Sequence, residues 1–176
     1  MRTKILLFLL ALLPAVSFAQ SFPTDPETKK FTFQETVNVD TLSKDLIYER
    51  SKEWMGKFYN STSLDFDNKE TGKISKEGTF NVLITYDFKY KTDYVLTYNI
   101  SIYQKPGKYK YTITDFMIYD SKNGAKTAQS LEAFYAKMRS QNKADFVNKV
   151  NAEVNKTIEN LKSYMITGQK KNDEDW

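Results

Sequence analysis

The sequence predicts an α+β domain, an antiparallel sheet with helices packed on one face, and three observations carry that prediction. Segments of period-two alternation follow one another from residue 73 to 119 with only short turns between them. An apolar stripe at helical spacing precedes them over 42–58, and a longer stripe follows over 143–165. The resulting order, β-α-β-β-β-β and then helix, suits a sheet covered on one side.

The N-terminus comes first. Arg2 and Lys4 precede an apolar run from Ile5 to Leu13, and Ser17 and Ala19 then sit three and one residues before a cut ahead of Gln20. A signal peptidase reads this charged, apolar, small-residue order. Residues 1–19 are therefore expected to be a cleaved signal peptide, with the mature chain secreted to the periplasm or cell surface. The run is short for ~30 Å of hydrocarbon, so no stable membrane insertion is expected after cleavage. Residues 20–30, with Pro23 and Pro26, read as an extended leader. Residues 31–167 read as one domain, and 168–176 as a flexible tail.

Between leader and tail, each element has its own signal. Phe31, Phe33, Val37 and Val39 alternate with Thr32, Gln34, Thr36 and Asn38, a half-buried strand. Leu42, Leu46, Ile47, Trp54, Met55 and Phe58 recur at helical spacing, with Asp40 as N-cap and Thr41 or Ser43 as competitors. A short strand at 64–67 leads through a turn at Gly72 to a long one, Lys73 to Phe88, in which Gly78 suggests a bulge or bend. The next strand shows Tyr94, Leu96, Tyr98, Ile100 and Ile102 on one face. Pro106-Gly107 turns the chain, since proline presets φ and glycine accepts positive φ. The last strand shows Tyr109, Tyr111 and Ile113, then switches phase to Phe116 and Ile118, as a bulge near Thr114-Asp115 would produce. A short helix is expected within 128–138 and a long one over 143–165, ended by Gly168.

Three of these segments carry a resemblance. Tyr48 to Trp54 (YERSKEW), the hairpin around Gly72-Lys73-Ile74 with Gly78-Thr79, and the run from Gly107 to Asp115 resemble an uncharacterised family of secreted bacterial domains. That family, of the domain-of-unknown-function 4468 type, has a TBP-like fold. The resemblance covers about residues 31–120 and implies a β-α-β4-α arrangement, with no established activity and no functional residues to carry over.

Composition narrows the chemistry. The chain has no cysteine and no histidine, which excludes a disulfide framework, a thiolate nucleophile and Ser–His catalysis. The formal charge of +4 falls to +2 once Arg2 and Lys4 leave, and basic residues are scattered among acidic ones, so nucleic acid is not an expected partner. No catalytic, metal or cofactor site is predicted. The acidic stretch Asp65-x-Asp67-Asn68-x-Glu70 misses the spacing of a calcium loop.

Alternation also assigns the face turned away from the helices. It holds Thr79, Asn81, Leu83, Thr85 and Asp87, then Val95, Thr97, Asn99, Ser101 and Tyr103, then Lys108, Lys110 and Thr112. This face is rich in hydroxyls and amides, which disfavours a greasy ligand. The candidate ligand-binding residues are Asn81, Thr97, Asn99 and Tyr103. Asp40-Thr41-Leu42 has the acidic, hydroxyl, apolar form of a bacterial O-glycosylation acceptor, although helix capping accounts for the same residues without a sugar. The expectation is a non-enzymatic binding or assembly module of the cell envelope, taking an unknown polar ligand or an envelope protein. A carboxylate-dependent hydrolase of envelope glycans and a structural protein oligomerising through a sheet edge are the alternatives.

Overall fold

A computed structural model describes residues 21–86 and 90–168. Residues 1–19, expected to be a signal peptide, Asp87 and Phe88, and the tail expected beyond Gly168 lie outside these residues. The elements are β1 (Phe33–Asn38), α1 (Lys44–Phe58), β2 (Phe66–Asn68), β3 (Lys73–Tyr86), β4 (Tyr90–Lys105), β5 (Lys108–Asp120), β6 (Gln129–Ser130), α2 (Leu131–Lys137) and α3 (Ser140–Thr167). The strands form one antiparallel sheet in the order β1-β5-β4-β3-β2, with the short β6 also paired to β5. This is the α+β class that the alternation and the two helical stripes predict.

One face of the sheet is core. Ile74, Val82 and Ile84 of β3, Leu96, Tyr98, Ile100 and Ile102 of β4, and Tyr109, Tyr111 and Ile113 of β5 are all buried. Against them lie Ile47, Trp54 and Met55 of α1 and Phe146, Val147, Val150, Val154 and Leu161 of α3. The two helices are tied directly: the Trp54 indole donates to Asn160 Oδ1 at 2.8 Å. Arg50 of α1 donates to the Met165 carbonyl at 2.6 Å, a cation at the negative end of α3.

The expected phase switch in β5 is a bulge. Asn99 pairs with Thr114 and Thr97 with Met117, so Tyr98 faces both Asp115 and Phe116. Asp115 takes φ 57°, the left-handed conformation of the first residue in such a bulge. The added residue returns Phe116 and Ile118 to the core side, where both are 1% exposed.

Three local expectations need correction. Gly78 is no bulge, because β3 and β4 stay in register from Lys73 to Tyr86. Glycine is required there by its partner across the ladder. A Cβ on Gly78 would lie 2.4 Å from Tyr98 Cζ, because the Tyr98 ring lies over it, with its hydroxyl 3.1 Å from that of Tyr59. The N-cap of α1 is Ser43, whose Oγ accepts from Leu46 N–H at 3.2 Å; Asp40 and Thr41 occupy a turn before it. The leader belongs to the fold: Phe22 is 4% exposed, its ring 4.6 Å from Phe31 and 5.3 Å from Tyr135. Two prolines hid a hairpin closed by a single bridge, Thr24 to Phe31, and anchored by aromatic burial.

Two measurements test this architecture. Gly78→Ala should cost about 1–3 kcal/mol in urea unfolding by displacing the Tyr98 ring. Gly56→Ala in α1, where a Cβ meets its nearest neighbour at 3.6 Å, should be neutral or stabilising by up to about 1 kcal/mol. The second concerns pH. Glu35 accepts from Lys162 at 2.6 Å and from the Tyr111 hydroxyl at 2.9 Å, and these bonds hold its carboxyl below the usual range. A depressed carboxylate stabilises the fold above the unfolded-chain value and loses that effect as pH falls through the folded value. With Glu35 46% exposed, screening limits the effect to about 1 kcal/mol. Glu35→Gln should show that deficit at pH 7 and none at the acid end of a pH series.

Candidate functional site

The uncovered sheet face is the surface that the alternation assigns. Cross-strand rows run across it: Thr36, Lys110, Tyr103 and Lys73 form one, and Gln34, Thr112, Ser101 and Ser75 the next. Beyond them, Asn99 stands between Thr114 and Glu77, and Thr97 between Met117 and Thr79. Most of these side chains are hydroxyls, amides or lysines, as alternation against an apolar core requires.

All four candidate residues lie on this face, but they do not converge. Asn81 pairs with Val95, whereas Tyr103 stands eight residues further along β4, about 26 Å away at roughly 3.3 Å per residue. Asn81 is turned to its neighbour, with Nδ2 3.3 Å from Asp93 Oδ2. Asn99 Oδ1 accepts from Ser101 Oγ at 3.1 Å. Thr97 lies between them. Tyr103 borders a concave region.

That region is an open depression of about 400 Å³ lined by residues of the 22–31 hairpin, β1, β5 and β4. Gln34, Thr112, Thr32 and Thr114 line it together with Asp25, Thr28, Lys30 and Asp115, and with Tyr103 and Lys110. Across Tyr103 and Lys110 lies a second, of about 350 Å³, bordered by Lys105 and Lys108. Tyr103 is 39% exposed, and the Lys73 ammonium sits 5.3 Å from its ring centre.

The lining is held by local chemistry. Asp25 Oδ1 accepts from Thr28 N–H at 2.7 Å, Thr28 Oγ1 at 2.9 Å and Glu27 N–H at 3.1 Å. The Thr28 backbone bond, followed by its hydroxyl, holds the Asp25 carboxyl below the usual range. Lys30 reaches the bulge residue Asp115 at 2.5 Å, and the Thr32 and Thr114 hydroxyls are 3.0 Å apart. The sequence reading missed the hairpin half of this site by treating 20–30 as leader. The Asp25-Pro26 pair, a turn-initiating dipeptide, was the signal available.

The acidic stretch before β3 makes no cation site. Asp67 accepts from the Tyr48 hydroxyl and from Lys52, Asp65 from Glu77 N–H, and Asn68 from Thr71 N–H. Among the described residues no three acidic side chains are grouped to hold a metal, and no helix is long and apolar enough to cross a membrane.

A one-sided antiparallel sheet of this order, with an open polar face, defines the TBP-like α+β class. Two solved structures share it: a DUF4468 family protein from Bacteroides ovatus (14% identity, 84% of this chain and 91% of that one, TM-score 0.61) and a TBP-like protein from Parabacteroides distasonis (16% identity, 82% and 97%, TM-score 0.61). Residues 33–119 match the model of the domain of unknown function family DUF4468, with TBP-like fold, so the chain carries a domain of that family, as the YERSKEW and hairpin motifs imply. No curated protein matches the chain. Likeness at these identities concerns the fold alone and transfers no DNA binding.

The strained residue at the depression gives a test. Asp115→Val places a β-branched side chain at φ 57° and should cost about 1–3 kcal/mol in thermal or urea unfolding. Asp115→Gly removes only an exposed ion pair and relieves the backbone, so it should stay closer to the parent than Asp115→Val does.

Proposed function

We propose that the domain is a non-enzymatic binding module, exported to the bacterial envelope, that takes a hydroxyl-rich polar ligand such as a glycan in the depression beside the 22–31 hairpin. The observation that carries this reading is the lining: threonine hydroxyls, the Gln34 amide, the Tyr103 ring and Lys110. Saccharides are recognised by such paired donors and acceptors with an aromatic ring at the edge. Against a carboxylate hydrolase speaks the state of the acids. Glycosidase work needs one carboxyl held protonated, whereas Asp25 is pulled the other way and Asp115 is paired with Lys30. Against oligomerisation through a sheet edge speaks the guarding of β3. Lys149 donates to the Leu83 carbonyl at 2.9 Å and Asp65 accepts from Glu77 N–H at 2.5 Å, occupying outward groups that a second strand would need.

A thermal-shift screen of the chain against envelope glycans and peptidoglycan fragments tests this. A ligand at ~100 times its dissociation constant should add about 2.7 kcal/mol of stability. Thr112→Val and Tyr103→Ala should abolish the shift while Asn81→Ala, at the far end of the face, leaves it intact. A shift that survives the first two and disappears in the third would move the site to the other end of the sheet.

A further inference from the structure

Residues 39–42 join β1 to α1 through a tight turn whose two central residues have no structural task. The Leu42 N–H donates to the Val39 carbonyl at 2.8 Å, which places Asp40 and Thr41 at the tip, both exposed. Gly107, at the end of the β4–β5 hairpin, clamps the turn from both sides. Its carbonyl accepts from Val39 N–H at 2.7 Å, and its own N–H donates to the Leu42 carbonyl at 3.0 Å. Val39 and Leu42 pack against the core, so the tip is fixed while its side chains face solvent. Helix capping, the competing use for these residues, falls to Ser43. The Thr41 hydroxyl makes no hydrogen bond to any described residue.

We propose that Thr41 is a site of O-linked glycosylation, taking a saccharide from a donor activated as an anomeric phosphate ester. In the transfer, the bond between Thr41 Oγ1 and the sugar's anomeric carbon forms as the bond from that carbon to the phosphate oxygen breaks. The phosphate leaves with the electron pair, and the hydroxyl proton passes to a base on the transferase. An acceptor oxygen that is exposed, makes no bond to a described residue and sits on a clamped tip is open to such an enzyme without any unfolding of the domain. Asp40 and Leu42 flank the acceptor with a charge and a partly accessible apolar side chain for the enzyme to read. Of the Asn-x-Ser/Thr triplets at Asn60, Asn99 and Asn155, the last two offer no comparable acceptor. They lie inside β4 and α3, with Ser101 8% and Thr157 4% exposed.

The test uses the full chain recovered from the bacterium that makes it. Trypsin releases residues 31–44, which contain Thr32, Thr36, Thr41 and Ser43, and electron-transfer fragmentation locates any added mass. Saccharide mass at Thr41 is expected, lost in Thr41→Ala, kept in Thr41→Ser and Ser43→Ala, with the melting temperature of unglycosylated Thr41→Ala equal to that of the unglycosylated parent. A Leu9→Arg chain, held in the cytoplasm, separates the donors: sugar lost there identifies a lipid-linked donor met after export, and sugar retained identifies a nucleotide sugar. A 31–44 peptide free of added mass, or sugar located at Thr36 or Ser43, overturns the proposal.

Discussion

The bulge at Asp115 is the constraint on which the rest of the molecule depends. A strand's side chains alternate strictly, so a continuous β5 could bury either Tyr109, Tyr111 and Ile113 or Phe116 and Ile118, never both sets. One extra residue opposite Tyr98 reverses the phase and lets both sets face the helices. The cost is a non-glycine residue in the left-handed region. Its side chain is engaged outward, by Lys30 from the 22–31 hairpin. The feature that completes the core therefore also holds one wall of the open-face depression.

Tyr98 stands at the centre of this arrangement. It faces the bulge on one side and Gly78 on the other, with its ring 5.7 Å from Phe80 and 5.8 Å from Phe116. Without the glycine, the ring could not lie across β3 toward Tyr59. A large aromatic over a glycine in the neighbouring strand fills a gap in the ladder that no side chain of β3 occupies. The long strands, β3 to β5, thus meet at one side chain near their middle.

The sequence made the sheet legible because burial is one-sided. Leu96 to Ile102 alternate cleanly with polar residues, Phe80, Val82 and Ile84 do so but for Leu83, and even the bulge announced itself as a change of phase. Less legible was whatever depended on contacts distant in sequence. Gly78 reads as a bulge until Tyr98 is known to cover it. Asp40, Thr41 and Ser43 are equally good caps until the Gly107 clamp fixes where the turn ends and the helix begins. Phe22 follows a signal-like segment and sits among prolines, so only its docking against Phe31 and Tyr135 reveals it as core. The same gap explains the candidate site. Alternation gives the face of Asn81, Thr97, Asn99 and Tyr103 correctly, but it carries no information about curvature or about which end a hairpin borders.

Acid–base catalysis at neutral pH needs groups tuned toward neutrality. Among the described residues every resolved shift runs the other way. Asp25, Glu35, Glu53 and Asp67 are held below the usual carboxylate range by hydrogen bonds. Lys30, Lys52, Lys57 and Lys69 are raised by bonds to carboxylates, and burial raises tyrosines such as Tyr59, Tyr86 and Tyr109. With no histidine in the chain, hydrogen bonds favour these carboxylates and ammoniums in their charged forms, and burial favours these phenols in their neutral form.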